Sequence, residues 1–523
     1  MTRRRSLIGA ALAAVCSAAL LVTACGAPTT GRSASEDMGP PVSGGRANLI
    51  QVTEPRSLDP AALGNVWATQ PALGNALYGT LMINNADTGE IEYKMAEDFS
   101  TADGGATYIL RLRPGLRYTD DTPLDAAAVK YNWDRMKDPK LGAGASKVSP
   151  QIAQTTVLTP TTLRVSMIAP NQHFAQAVVT STLNWTASPS ALEKGRAAFD
   201  AAPVGAGPFT LASWTRQDKM ELVKNQDYWD APKPYLDGVT FRFVPDTAQR
   251  FNAVLSGAAD LASETNSANV AKAKDAGLTS AMSTTGGGYY LAMNNRRAPF
   301  DDPRARKAIS LALDLDTINT IVNNAAGTVP RTLFTESSPF YSDITLAENN
   351  RDEARALFDE LAREGKRVAF AYTSFSTTES KLTGEAIQAQ LSDYDNVEVR
   401  IDALDSSAIN SVVAKRDFDM VVTTANVLDP DTELWAGFHS SSKGNMTGVH
   451  DTELDAALDA GRVGATVEER KSAYDTVQRE LAEQVPGLFY VRSAPSVIAG
   501  ADVGGVKLYG LGSPLPEEIW LTN

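Results

Sequence analysis

The chain has 523 residues, with 48 Lys and Arg against 62 Asp and Glu, for a formal charge of -14. A body this acidic is a poor partner for nucleic acid or anionic lipid, whose recognition starts from basic patches. It is also far longer than one hydrophobic core organises, so at least two lobes are expected.

The N-terminus reads as an export signal over residues 1–24. Arg3, Arg4 and Arg5 form a positive region, Leu7 to Val22 is apolar apart from Gly9 and Ser17, and the small residues Thr23 and Ala24 follow. The run is short and Ala-rich for a membrane span, which needs about 20 consistently apolar residues. Val22-Thr23-Ala24-Cys25 resembles the lipobox of bacterial lipoproteins. That resemblance implies a diacylglyceryl group on Cys25, which then becomes the new N-terminus. Thr2-Arg3-Arg4-Arg5 also touches the twin-arginine pattern, and either export route fits. Cys16 leaves with the signal and Cys25 is blocked, so the mature chain is expected to hold no disulfide, thiol nucleophile or cysteine metal site. Residues 25–46 are rich in Gly, Pro, Ser and Thr and read as the lipidated Cys and a flexible tether. No later run reaches membrane length. The expected location is therefore the outer, periplasmic or extracellular face of the cytoplasmic membrane, held by lipid on Cys25.

Beyond the tether, helical and strand patterns interleave, which indicates an α/β fold. In Tyr108 to Arg113, Tyr108, Leu110 and Leu112 share one face and Arg111 and Arg113 the other, a half-buried strand closed by Pro114-Gly115. Val239, Phe241 and Phe243 alternate similarly. Asp302-Pro303 opens a helix in which Ala308, Leu311, Ala312, Leu315 and Ile318 recur at helical spacing. Thr466-Val467-Glu468-Glu469 is a capping box, and Pro486-Gly487 ends the helix that follows it.

Enzyme signatures are missing from the sequence. It contains no G-x-S-x-G elbow, no phosphate loop and no dinucleotide fingerprint, and His173, His439 and His450 have no metal-ligand spacing. No cofactor or metal is expected. Gly286-Gly287-Gly288 has no following lysine and reads as a flexible crossing between lobes.

Seven ordered blocks resemble the family 5 extracellular solute-binding proteins. They are Glu54 to Pro60; Ala76 to Leu81; Tyr108 to Arg135; Pro203 to Phe209 with Trp214; Tyr228-Trp229 with Pro234 to Asp237; Asn294-Asn295 with Pro299 to Ala308; and Asp429-Pro430 through Phe438-His439-Ser440 to Gly444-Asn445. One departure is Asp120-Asp121, where the family usually has Asp-Gly. The resemblance implies a two-lobed, periplasmic-binding-protein-like fold. Lobe one would span 47–287 with an extra subdomain at about 67–185, lobe two 288–486, and residues 487–523 would return to lobe one. It implies capture of a small polar solute, whether peptide, peptide-like, sugar or chelate, by a monomer that closes its lobes and delivers to the permease subunits of an ABC importer. The alternative is an envelope lipoprotein with a signalling or chaperone-like binding role.

By family position, Thr423, Thr424, Ala425 and Asn426 form one cleft wall ahead of Pro430. Peptide-binding members have an aspartate for the peptide amino group where this chain has Asn426. An amide accepts a hydrogen bond but supplies no charge, which favours a ligand without a lone ammonium group. Glu54, Asp429 or Asp431 are the substitutes at hand, although Asp429 reads as a brace for the turn before Pro430. Thr373, Ser374 and Phe375, with Tyr372 before them, fall where a lobe-two strand gives way to a helix with free amides. Trp67 and Trp435 are candidates for stacking on a ligand plane.

Overall fold

A computed structural model describes residues 38–522 other than 86, 87, 139, 140, 142–144, 146, 147, 376 and 405–407. The export signal and Cys25 lie outside the described residues. The first strand, Arg46–Gln51, buries Ala47, Leu49 and Ile50, and apolar residues on both faces suit a central strand. Parallel strands Gly238–Phe243 and Leu261–Glu264 flank it. The complete seven-stranded sheet runs Thr279–Met282, Ser496–Ala499, Leu261–Glu264, Arg46–Gln51, Gly238–Phe243, Lys219–Lys224, Phe209–Thr215.

A separate four-stranded antiparallel sheet has the order Ala96–Thr101, Thr107–Leu112, Thr162–Met167, Ile152–Thr159. Tyr108, Leu110 and Leu112 are buried as their alternation requires, in a core with Phe99, Trp133 and Phe174. Asp121 adopts a left-handed φ of +63°, the conformation that glycine accommodates most easily and Asp tolerates better than most residues. The Pro203 to Phe209 block passes hard against the helix Pro71–Tyr78: a Cβ at Gly205 would lie 2.0 Å from the Leu77 carbonyl oxygen.

The second large sheet has five strands in the order Val397–Leu404, Val368–Phe375, Met420–Val427, Gly286–Met293, Gly487–Val491. Both of its faces are covered. Leu291 and Met293 join one core with Phe370 and Leu488, and the alternate Tyr290 and Ala292 join another with Val421 and Phe489. The chain passes between the two large sheets at Ser283–Thr285 and again at Arg492–Pro495.

Three local expectations need correction. Gly286 to Gly288 begin a strand and are tightly packed, since a Cβ at Gly287 would lie 2.1 Å from the Ala425 oxygen and one at Gly288 2.3 Å from the Val491 oxygen. Their glycine content reflects close backbone approach, and the crossing lies just before them. The return also comes later than Pro486, because Gly487–Val491 still pairs with Gly286–Met293. The helix opened by Asp302 ends at Ala312. Leu313 is extended, and Asp314 caps a new helix, Leu315–Asn323, by accepting from the Asp316 and Thr317 amides. The capping box at Thr466 and Glu469 forms as expected.

Candidate ligand cleft

Strands Val368–Phe375 and Met420–Val427 run parallel, with Thr373 opposite Val421, so their carboxyl ends emerge side by side. Ligands of open α/β sheets bind beyond such ends. Two depressions open there. The first lies between the lobes: Asn426, Asp429 and Thr432 line it from one side, Gln176, Thr180 and Leu511 from the other. Its free space is about 20 Å³, room for about one water. The second, lined by Ser374, Phe375, Thr377, Thr378 and Lys381, measures about 460 Å³, within the usual range for small-molecule sites. A solute can enter the first only if the lobes part.

Asn426 is 8% exposed, and its Oδ1 accepts a hydrogen bond from the Ser493 hydroxyl. Thr424 shares its strand face, whereas Thr423 and Ala425 take the other. Ala425 is fully buried in the core with Leu434 and Phe438. Thr373 and Ser374 are buried, and the Ser374 hydroxyl lies 3.2 Å from that of Ser380. Glu54 and Trp435 are already engaged. Glu54 accepts from the Trp214 indole at 3.0 Å and from the Gln217 amide. The Trp435 ring stacks on His439 at 4.5 Å and carries the Arg462 guanidinium at 4.1 Å, while its N–H donates to Asp459. Trp67 is buried beside Leu511, whose carbonyl accepts its backbone N–H.

Asp429 caps the helix Pro430–Phe438 and forms a two-pronged pair with Arg470, at 2.8 and 2.9 Å. Burial pushes its pKa up, but the Arg470 guanidinium prevails and holds it below the usual carboxylate value. Next to it lies a set of contacts that sequence reasoning missed. Asp431, 1% exposed, accepts from Arg462 Nε and from Asn171 Nδ2, each at 2.8 Å. The Gln172 amide donates to the Arg462 carbonyl, and His173 Nε2 lies 3.0 Å from that of Gly464. Residues 171–173 follow the four-stranded sheet, so these contacts tie the first lobe to the second. Nothing local in Asn171-Gln172-His173 marks them. Among the described residues no group of three or more His, Cys, Asp or Glu side chains is placed to hold a metal ion.

Two α/β lobes joined by two crossing segments, with a polar cleft between them, define the class of two-lobed binding proteins. Solved structures share this fold. An ABC transporter-associated periplasmic binding protein DppA from Helicobacter pylori, in complex with the peptide STSA, aligns with a TM-score of 0.79 at 22% identity over 92% of this chain and 99% of that one. The binding protein AgaA from A. tumefaciens R10, in complex with agropinic acid, aligns with a TM-score of 0.78 at 24% identity over 91% and 99%. The sequence model for bacterial extracellular solute-binding proteins, family 5 Middle, matches residues 90–445, and the chain belongs to that family. The glutathione-binding protein GsiB of Shigella boydii serotype 4 is 33% identical over 223 residues, 42% of this chain. The match spans 43% of that relative's length.

Proposed function

We propose that this chain is the capture subunit of an ABC importer, held at the outer face of the cytoplasmic membrane by lipid on Cys25. It acts as a monomer, closes its lobes over one small polar solute and presents the loaded form to permease subunits. The observation that carries the reading is the first depression, to which both lobes contribute polar side chains. Such a site makes ligand occupancy and lobe closure the same event. Asn426 and Thr424 from one strand end, and Ser374 and Phe375 from its neighbour, are the proposed contacts, with Thr373, Thr423 and Ala425 shaping the wall behind them. The named relatives support a peptide-like or otherwise oxygen-rich solute, since one is called glutathione-binding and two structures hold a peptide and agropinic acid.

Asn426 decides between solutes with and without a free amine. It offers an amide where a carboxylate would pair with ammonium, and Asp429 is committed to Arg470. The native protein should therefore not favour a lone ammonium group. The test uses residues 26–523, screened by thermal shift against short peptides, sugars and metal chelates and then titrated as native protein and as Asn426→Asp. The substitution should strengthen binding of peptides with free amino termini. If it leaves every affinity unchanged, Asn426 is outside the site.

A further inference from the structure

The two crossing segments meet where they leave the first large sheet. Met282 is paired with Ser496 at the sheet edge, and the Ser283 amide donates to the Pro495 carbonyl at 2.9 Å. Ser283 and Thr285 lie on one of these segments and Ser493 and Pro495 on the other.

These segments adjoin the cleft, since the Ser493 hydroxyl donates to Asn426, which lines it. Pro495 and Trp67 close on Gly512 from either segment, a Cβ there lying 2.9 Å from Pro495 Cβ and 3.0 Å from Trp67 Cβ. Trp67 is bonded through its own backbone to Leu511, another lining residue.

Two hydroxyls on this crossing, those of Ser283 and Thr285, and the indole N–H of Trp67, whose Cβ shares the Gly512 contact with Pro495, have no hydrogen-bond partner among the described residues. Their residues are 1%, 2% and 4% exposed. Buried polar groups are almost always partnered, so three orphans in one place need an explanation. An indole N–H can only donate, so whatever meets Trp67 must present an acceptor. The local charge agrees. Arg492, beside Ser493, places its guanidinium on the carbonyl oxygens of Thr332, Leu333 and Phe334, and among the described residues no acidic side chain pairs with it. Burial pushes its pKa down to about 10.

We propose that the crossing segments and Trp67 form the subsite that grips an oxygen-acceptor end of the solute, a carboxylate or an amide carbonyl. This deepens the reading above and rests on it. Hydroxyls and an indole N–H supply the hydrogen bonds, and the uncompensated guanidinium nearby favours negative charge.

Ser283→Ala and Thr285→Val each remove one donor with little change of shape, and Trp67→Phe removes the indole N–H together with part of the ring. The probes are glutathione and trialanine, each with its C-terminal carboxylate free and amidated, titrated by calorimetry into residues 26–523. Each substitution should weaken binding of the free acids by about tenfold. Ser283→Ala and Thr285→Val should not lower the melting temperature of the solute-free protein, because these hydroxyls have no internal partner to lose, whereas Trp67→Phe also gives up buried ring volume. If amidation of the native protein's probe costs as much as the substitutions do, the gripped group is a carboxylate. If amidation costs nothing while the substitutions still weaken binding, it is a carbonyl. Native protein that binds a probe, with all three variants binding it equally well, overturns this inference and leaves the proposed function standing. Native protein that binds neither probe removes the peptide-like solute and this inference together.

Discussion

Asn171 Nδ2 donates to Asp431 Oδ2 at 2.8 Å, joining the first lobe to a buried carboxylate of the second that already holds Arg462. The protein's own contacts thus hold the two lobes together here. A hydrogen bond to a charged group contributes about 1.5–3 kcal/mol. Asn171→Ala should accordingly weaken binding of whichever solute the screen yields by about tenfold, through loss of the closed population. Calorimetry checks this. Equal affinity would mean that the contact follows closure without stabilising it.

The Asp429 and Arg470 pair makes a prediction about stability. Both side chains are largely buried, at 15% and 7% exposure. Removing one partner of such a pair strands a charge and costs about 3–5 kcal/mol. Arg470→Met should therefore shift urea unfolding strongly, and adding Asp429→Asn should recover part of the loss. Additive losses from the two substitutions would show that the residues are not coupled.

Glu517 makes a prediction about pH. It is 4% exposed, and burial pushes its carboxyl up to about 7 from an ordinary 4.5. A raised folded-state value means that the native state prefers the protonated form. The associated stability is full below pH 4.5 and is lost as pH rises through 7, with a magnitude of roughly 3 kcal/mol. Glu517→Gln should raise the melting temperature by a few °C at pH 8 and leave it unchanged or lower at pH 4. An equal shift at both pH values would exclude titration of this group as the cause.

Cys25 is expected to be the membrane attachment. No helix among the described residues is long and apolar enough to cross a membrane. Cys25→Ala, once exported, should move to the soluble fraction after a salt wash. Retention on membranes would rule out the lipid anchor.

The parts of this fold that could be read in the sequence are those with local causes. Asp302-Pro303, the Thr466 capping box and the Tyr108 to Leu112 alternation carry their physics within a few residues, and each forms as read. The break at Leu313 was hidden because Leu315 and Ile318 keep helical spacing across it, while the cap at Asp314 wins locally. Gly286 to Gly288 were misread because their meaning comes from the Ala425 and Val491 oxygens, which lie far away in sequence. Asn426 is picked out in the sequence only by its register with Pro430; it borders the depression between the lobes, and its contact with solute is a proposal. Ser283 and Thr285 could not be found this way, since only the meeting of Ser283 with Pro495, more than two hundred residues away, draws attention to them.

The central claim is that one small polar solute binds between the lobes and holds them closed. Small-angle scattering of residues 26–523, with and without the solute that most raises the melting temperature, tests it most directly. The radius of gyration should fall at saturation, with calorimetry giving one solute per chain. Unchanged dimensions with a solute fully bound would contradict the account.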